Sequence, residues 1–343
     1  MKISNKNRIL YALLLLVTLF LLVLDISLGS IKIPLKEVFL SFSGRSASKE
    51  TWEYILINYR LPKAIMAILV GMGLSISGLL MQTLFRNPLA GPYVLGLSSG
   101  SSLGVAFVIL GAGYLPSFLS DLLLSPYGII IASCLGSLTV LLAVLVVSER
   151  LRDTMAILIV GLMFGSFTSA FVSVLSYFST AEQLQKYTFW SMGNLGNLSW
   201  SALAILTVAV LLGLALSLAS IKPLNALLLG ENYAKSLGLN YKKSRVLILL
   251  ATSILAGSIT AFAGPIAFVG LAVPHMAKLL FQTSNHTILF WSTLLLGASM
   301  MLFCDLISQV PGGATILPIN AITSIIGAPV VIWLLVRKRK MMG

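Results

Sequence analysis

The chain has 343 residues, of which 58% are hydrophobic and only 10% charged, and its mean hydropathy is +1.00. An ordinary soluble domain is about a quarter charged, so this composition excludes a water-soluble enzyme and calls for a bilayer as solvent. The formal net charge of +13 does not imply nucleic acid, because the Lys and Arg residues sit in short stretches between apolar runs and build no basic face interleaved with aromatics.

Taken in chain order, Met1 to Arg8 followed by Ile9 to Leu24 imitates a signal peptide, with a basic leader before an apolar stretch. The stretch runs on to Leu28, about 20 residues and long enough to span, so it is read as an uncleaved first helix over 9–28. Residues 29–60 form an excursion whose Trp52 and Tyr54 suit the membrane interface. Further spans are predicted over 61–84, 93–113, 126–147, 154–178, 199–219, 246–263, 266–282, 288–307 and 318–336. The reading is therefore a single all-α integral membrane domain over 1–343 with about ten transmembrane helices. Residues 221–245, the most polar part of the second half, are expected on the cytoplasmic side.

Seven of the 23 basic residues, Lys32, Lys36, Arg45, Lys49, Arg60, Lys63 and Lys186, fall outside if both termini are cytoplasmic, and the other sixteen fall inside. That bias supports this orientation over its inverse. Cys134 and Cys304 lie within apolar runs with no CxxC or metal-ligand spacing, so neither a disulfide nor a metal site is expected.

Several segments carry more than hydropathy. Arg60-Leu61-Pro62-Lys63 opens the second span, with Pro62 suited to a first helical turn. Its two cations either snorkel to the headgroups or form an outward basic patch on which an acidic partner docks. The block from Gln82 to Gly100, with Arg86-Asn87-Pro88 and Ser98-Ser99, is dense in Gly, Ser and Pro, which at membrane depth allows close helix contact and non-helical backbone. Its Gln82, Arg86 and Asn87 either cap carbonyls or line an inner mouth, and Gln82, Asn87, Ser98 and Ser99 are candidates for a translocation path. Ser166, Ser169, Ser173 and Ser176 recur at helical steps and form one hydroxyl stripe, either helix glue or the lining of a path. Gly91-Pro92 and Gly264-Pro265, each followed by a Gly-Leu pair, make a faint internal echo that an inverted repeat or two ordinary turns would explain equally.

The stretch Leu227 to Gly238 predicts a short amphipathic helix in which Glu231 pairs with Lys235 four residues on, Tyr233 and Leu237 share an apolar edge, and Gly238 caps the end. Such a helix at a membrane surface meets either lipid or another protein, and a protein is the favoured partner. No GxxxxGK[ST] phosphate cradle occurs in the sequence, and the centres of the spans hold no ionisable relay, with Asp25 and Asp305 toward helix ends and His275 beside Pro274. Work for uphill transport must then come from another chain. A secondary transporter or channel, and an intramembrane enzyme, are the competing classes; neither has the ionisable chain or the nucleophile–base pair it needs.

In this order the motifs Arg60–Lys63, Gln82–Gly100, Trp190–Gly193, Leu229-Gly230-Glu231 with Ala234 and Leu237-Gly238, Gly264–His275, and Leu317-Pro318 with Gly327–Pro329 resemble the permeases of bacterial iron-siderophore, haem and cobalamin ABC importers. The resemblance implies a type II ABC importer permease in the bacterial cytoplasmic membrane, paired with an identical or non-identical second permease. It implies two ATPase subunits docked on Leu229, Gly230, Glu231, Ala234, Lys235, Leu237 and Gly238, with ATP and Mg bound by those subunits and no cofactor or metal on this chain. It further implies an outer binding protein that docks at Arg60 and Lys63 and delivers an iron chelate, with lipid as the remaining contact. The chain departs from the family at Lys63, Lys278 and Gln309, where Arg is usual, at Ile316, where an acidic residue is usual, and at Asn320, where Gly is usual. Those departures place the outer docking patch in question.

Overall fold

The computed structural model describes residues 4–29, 31, 33–42, 49–114, 116–150, 154–196, 198–309 and 316–340. Lys2, Lys32, Arg45 and Arg152, assigned to sides of the membrane by the sequence, lie outside the described residues. The described residues form helices α1 (Asn5–Ser27), α2 (Leu35–Phe42), α3 (Glu50–Ile55), α4 (Leu61–Leu84), α5 (Leu97–Ile109), α6 (Ser117–Leu123), α7 (Pro126–Arg150), α8 (Thr154–Tyr177), α9 (Ala181–Ser191), α10 (Trp200–Ala219), α11 (Ile221–Leu227), α12 (Glu231–Ser236), α13 (Tyr241–Ala263), α14 (Val269–Phe281), α15 (His286–Ser308) and α16 (Ile319–Lys340).

Among the described residues, seven helical segments are long and apolar enough to cross a membrane, and Leu97–Ile109, Val269–Phe281 and Ile319–Trp333 are shorter apolar helices. Together they account for the ten predicted spans and give an all-α, multi-pass membrane fold. Two predicted spans are truncated. At 13 residues each, α5 and α14 rise about 20 Å, well short of a hydrocarbon core about 30 Å thick. Each follows a Gly-Pro stretch that leaves helical geometry and re-enters it through a left-handed residue, Gly96 (φ 75°) or Phe268 (φ 67°). The echo seen in the sequence therefore has a counterpart in two short helices of equal length. In contrast, α13 starts five residues ahead of its predicted span, because Asn240 caps it by accepting from the Lys243 N–H at 3.0 Å. The excursion before α4 is helical as well: α3 joins α4 through a π-helical turn, Leu56–Arg60.

The chain divides into two compact units, one formed by Met1–Ile76, Asn194–Val208 and Ala267–Gly343, the other by Ser77–Gly193 and Ala209–Ile266. In the first, α15 packs against α1, α14 and α16. Gly71 of α4 and Gly297 of α15 meet so closely that a Cβ on either would overlap the other's carbonyl, and Ser75 bridges the crossing through its hydroxyl to Thr293 O at 3.1 Å. Without a hydrophobic drive between helices in lipid, such small-residue contacts supply the packing energy. Near the 264–268 turn, Asn320 Oδ1 accepts the Ala267 N–H at 2.9 Å, so the departure at this position gives a non-helical amide its partner.

In the second unit α5 is central and touches α7, α8, α9 and α13. Gly100 and Gly104 of α5 face Gly136 and Ala132 of α7 with backbone against backbone. This close seating covers the polar groups that a helix too short to span would otherwise show to lipid. Helix α9 carries a full capping box, Thr180 with Gln183, and its Tyr187 and Trp190 pack on the buried cluster Val105, Ala106, Ile109 and Leu110. Lys186 pairs with Glu182 at 2.8 Å and holds that carboxyl below its ordinary range.

Candidate functional site

The seven residues expected to meet an ATPase fall on one compact element. Gly230 (φ 114°) precedes α12, Glu231 Oε1 and Lys235 Nζ pair at 2.6 Å, and Ala234 is fully buried and roots the helix. At the far end Gly238 (φ 83°) donates to Lys235 O at 2.9 Å and Leu239 N–H to Ala234 O at 3.0 Å, the two bonds of a Schellman closure that only a residue comfortable in the left-handed region makes cheaply. Leu229, Tyr233 and Leu237 are left 62%, 54% and 61% exposed, an apolar edge without cover.

Of the Gln82, Arg86 and Asn87 group, Arg86 belongs with this element. It stands just past α4 with φ 48°, and its Nη2 donates to Leu227 O at 2.6 Å, capping the last turn of α11. Arg86 and residues 229–233 with Ser236 line an open cleft of about 720 Å³.

The hydroxyl stripe is divided. Ser169, Ser173 and Ser176 of α8 join Ser98 and Ser99 of α5 around a cavity of about 470 Å³. Thr168, Ser102 and Tyr187, which the sequence did not single out, line it too, with Gly165, Val172 and Pro265; Ser102 Oγ hydrogen-bonds the Tyr187 phenol. Ser102 was visible as the residue one turn beyond Ser98, whereas Tyr187 reaches the cavity only through the packing of α9. Three expected path residues are not on this cavity. Ser166 is exposed and donates to its own backbone at Leu162 O, because helical steps of three and four drift around the axis. Asn87 folds into a local turn with its Oδ1 accepting the Leu89 N–H at 2.9 Å, and Gln82 is buried within α4.

The expected outward basic patch is also corrected. Arg60 is buried, and its Nη1 donates to Ile26 O and Ser27 O at 2.7 Å each, with Nη2 on Ile31 O. The terminal carbonyls of α1 lack intrahelical partners, and the planar guanidinium supplies three donors at once. Lys63 Nζ turns onto Asp305 Oδ1 at 2.9 Å. Gln309, noted in the sequence only as a departure, donates to both Asp25 Oδ1 at 2.9 Å and Asp305 Oδ2 at 3.0 Å. Two cations and two carboxylates thus offset one another where α1 and α15 end and α4 begins.

A family model described as the FecCD transport family matches residues 15–337. The chain is 34% identical over 324 residues to the hemin transport system permease protein HmuU of Yersinia pestis, covering 94% of this chain and 95% of that one. It is 37% identical over 281 residues to the vitamin B12 import system permease protein BtuC of Klebsiella pneumoniae, 82% of each chain. A solved structure described as an inward-facing conformation of an ABC transporter of metal-chelate type shares 29% identity and a TM-score of 0.83, over 96% of this chain and 99% of that one. The PsaBC structure from Streptococcus pneumoniae, 16% identical at a TM-score of 0.53, shares the fold alone.

Proposed function

The chain belongs to the FecCD transport family, residues 15–337 matching its model, and on that premise we propose that it imports an iron chelate, a siderophore, using ATP hydrolysed by a separate subunit. The observation that carries the division of labour is α12: a capped, ion-paired helix rooted by Ala234 whose apolar edge at Leu229, Tyr233 and Leu237 is uncovered. A sequence without a phosphate cradle needs such a surface to receive work from outside. The working assembly in this reading is two permeases, two ATPase subunits and an extracytoplasmic binding protein, with both termini of this chain in the cytoplasm.

The cargo reading is supported by the cavity walled by Ser98, Ser99, Ser102, Ser169 and Ser173. Small hydroxyls hydrogen-bond a polar, oxygen-rich chelate weakly and release it, leaving selection to the binding protein. The hemin and vitamin B12 relatives favour haem or cobalamin as the second reading. Proteoliposomes holding the full assembly should take up labelled ferric siderophore only with ATP and binding protein. Uptake of haem or cobalamin but not siderophore would replace the cargo, and uptake driven by a proton gradient without ATP would remove the importer reading.

A further inference from the structure

Arg86 borders α12, yet the proposed function assigns it no role. It leaves the end of α4 in a left-handed conformation, and its fork crosses to a segment some 140 positions away, where Nη2 meets Leu227 O at 2.6 Å. A guanidinium carries five N–H donors. One satisfies α11, and the side chain is nevertheless exposed on the cleft shared with α12. Nη2 lies 3.4 Å from where a Cβ on Gly230 would sit, so the fork is seated at the very start of the coupling helix.

Basic side chains outnumber acidic ones in the stretch around α12. Glu231 is the only carboxylate between Ile221 and Arg245, and Lys235 already pairs with it. Lys222, Lys242 and Lys243 are exposed elsewhere in this stretch, and on the cleft itself Arg86 is the one cation among the lining residues. A pre-positioned fork with no ion-pair partner among the described residues favours a planar acceptor.

We propose that Arg86 is a second anchor of the ATPase docking surface, its free donors receiving a carboxylate side chain of the ATPase subunit in the cleft beside α12. This inference rests on the importer reading above. Docking thus has an apolar component at Leu229, Tyr233 and Leu237 and a charged one at Arg86. A motion imposed on α12 and passed to α11 through residues 228–230 reaches the end of α4 through the Arg86–Leu227 bond.

The test separates charge from capping. Full-length permease in nanodiscs is titrated with its ATPase subunit across a salt series. Arg86→Gln keeps an N–H donor for Leu227 O and removes the charge; it should bind about fivefold more weakly at low salt, with a flatter salt dependence than wild type. Arg86→Lys, which keeps the charge but not the planar fork, should fall between wild type and Arg86→Gln, and an acidic-to-Lys change on the ATPase should restore binding to Arg86→Glu. Wild-type affinity and salt dependence in Arg86→Gln, with a defect only in Arg86→Ala, would reduce Arg86 to a helix cap and overturn the inference while leaving the importer reading intact. Failure of wild-type permease to bind any ATPase subunit would remove both.

Discussion

Arg60 shows how one side chain changes role when its surroundings are known. Removing the guanidinium leaves the carbonyls of Ile26 and Ser27 without their 2.7 Å donors and tips the balance at Asp25 and Asp305, both almost fully buried. Breaking such a buried charge set costs about 3–5 kcal/mol, so Arg60→Ala should lower the thermal unfolding midpoint in detergent sharply. Arg60→Lys, which keeps the charge but not the fork, should lose less. Gly238 is the simpler case. Nothing stands within 4 Å of a Cβ placed there, yet φ is 83°. Gly238→Ala should therefore cost only the left-handed backbone penalty, about 1 kcal/mol, seen as faster amide exchange across α12 with the transmembrane helices unchanged.

Among the helices, α5 depends on its neighbours for the right to be short. A Cβ on Gly104 would run into the Ala132 carbonyl, so Gly104→Val should force α5 from α7 and abolish a monodisperse peak in size-exclusion chromatography. Gly165 of α8 meets only Ser99 Oγ at an ordinary 3.4 Å. Gly165→Val should leave that peak in place while narrowing the hydroxyl cavity, and transport in proteoliposomes should slow. Helix α12 is the converse, a marginal element of six residues held by its C-terminal closure and the buried Ala234. Glu231→Ala with Leu237→Arg removes an exposed pair contributing less than about 1 kcal/mol and plants a charge on the apolar edge. Co-purification of the ATPase should be lost although insertion into the membrane persists; retained co-purification would dismiss the edge as the docking surface.

At the scale of the whole chain, helices differ widely in how much of their apolar surface is covered. Only 11% of the most apolar window of α8 is buried, against 83% for the Glu50–Leu84 segment. On the proposed orientation, a reporter fused after the last residue and active only in the cytoplasm should light up, and a dark reporter would invert the topology. Hydropathy made the apolar segments and their order legible, because crossing a bilayer demands length and apolarity from each segment on its own. The α12 pair and its glycine cap were legible for a similar reason: partners four residues apart meet within one helix whatever surrounds it. Nothing local distinguishes an Arg60 that faces water from one that caps a neighbouring helix, or a Gln309 that bridges Asp25 and Asp305 across 284 positions. Those roles, the entry of Tyr187 into the cavity and the seat of Arg86 beside α12 depend on which helices meet, and therefore emerged only when the packed chain brought distant donors and acceptors within 3 Å or so of each other.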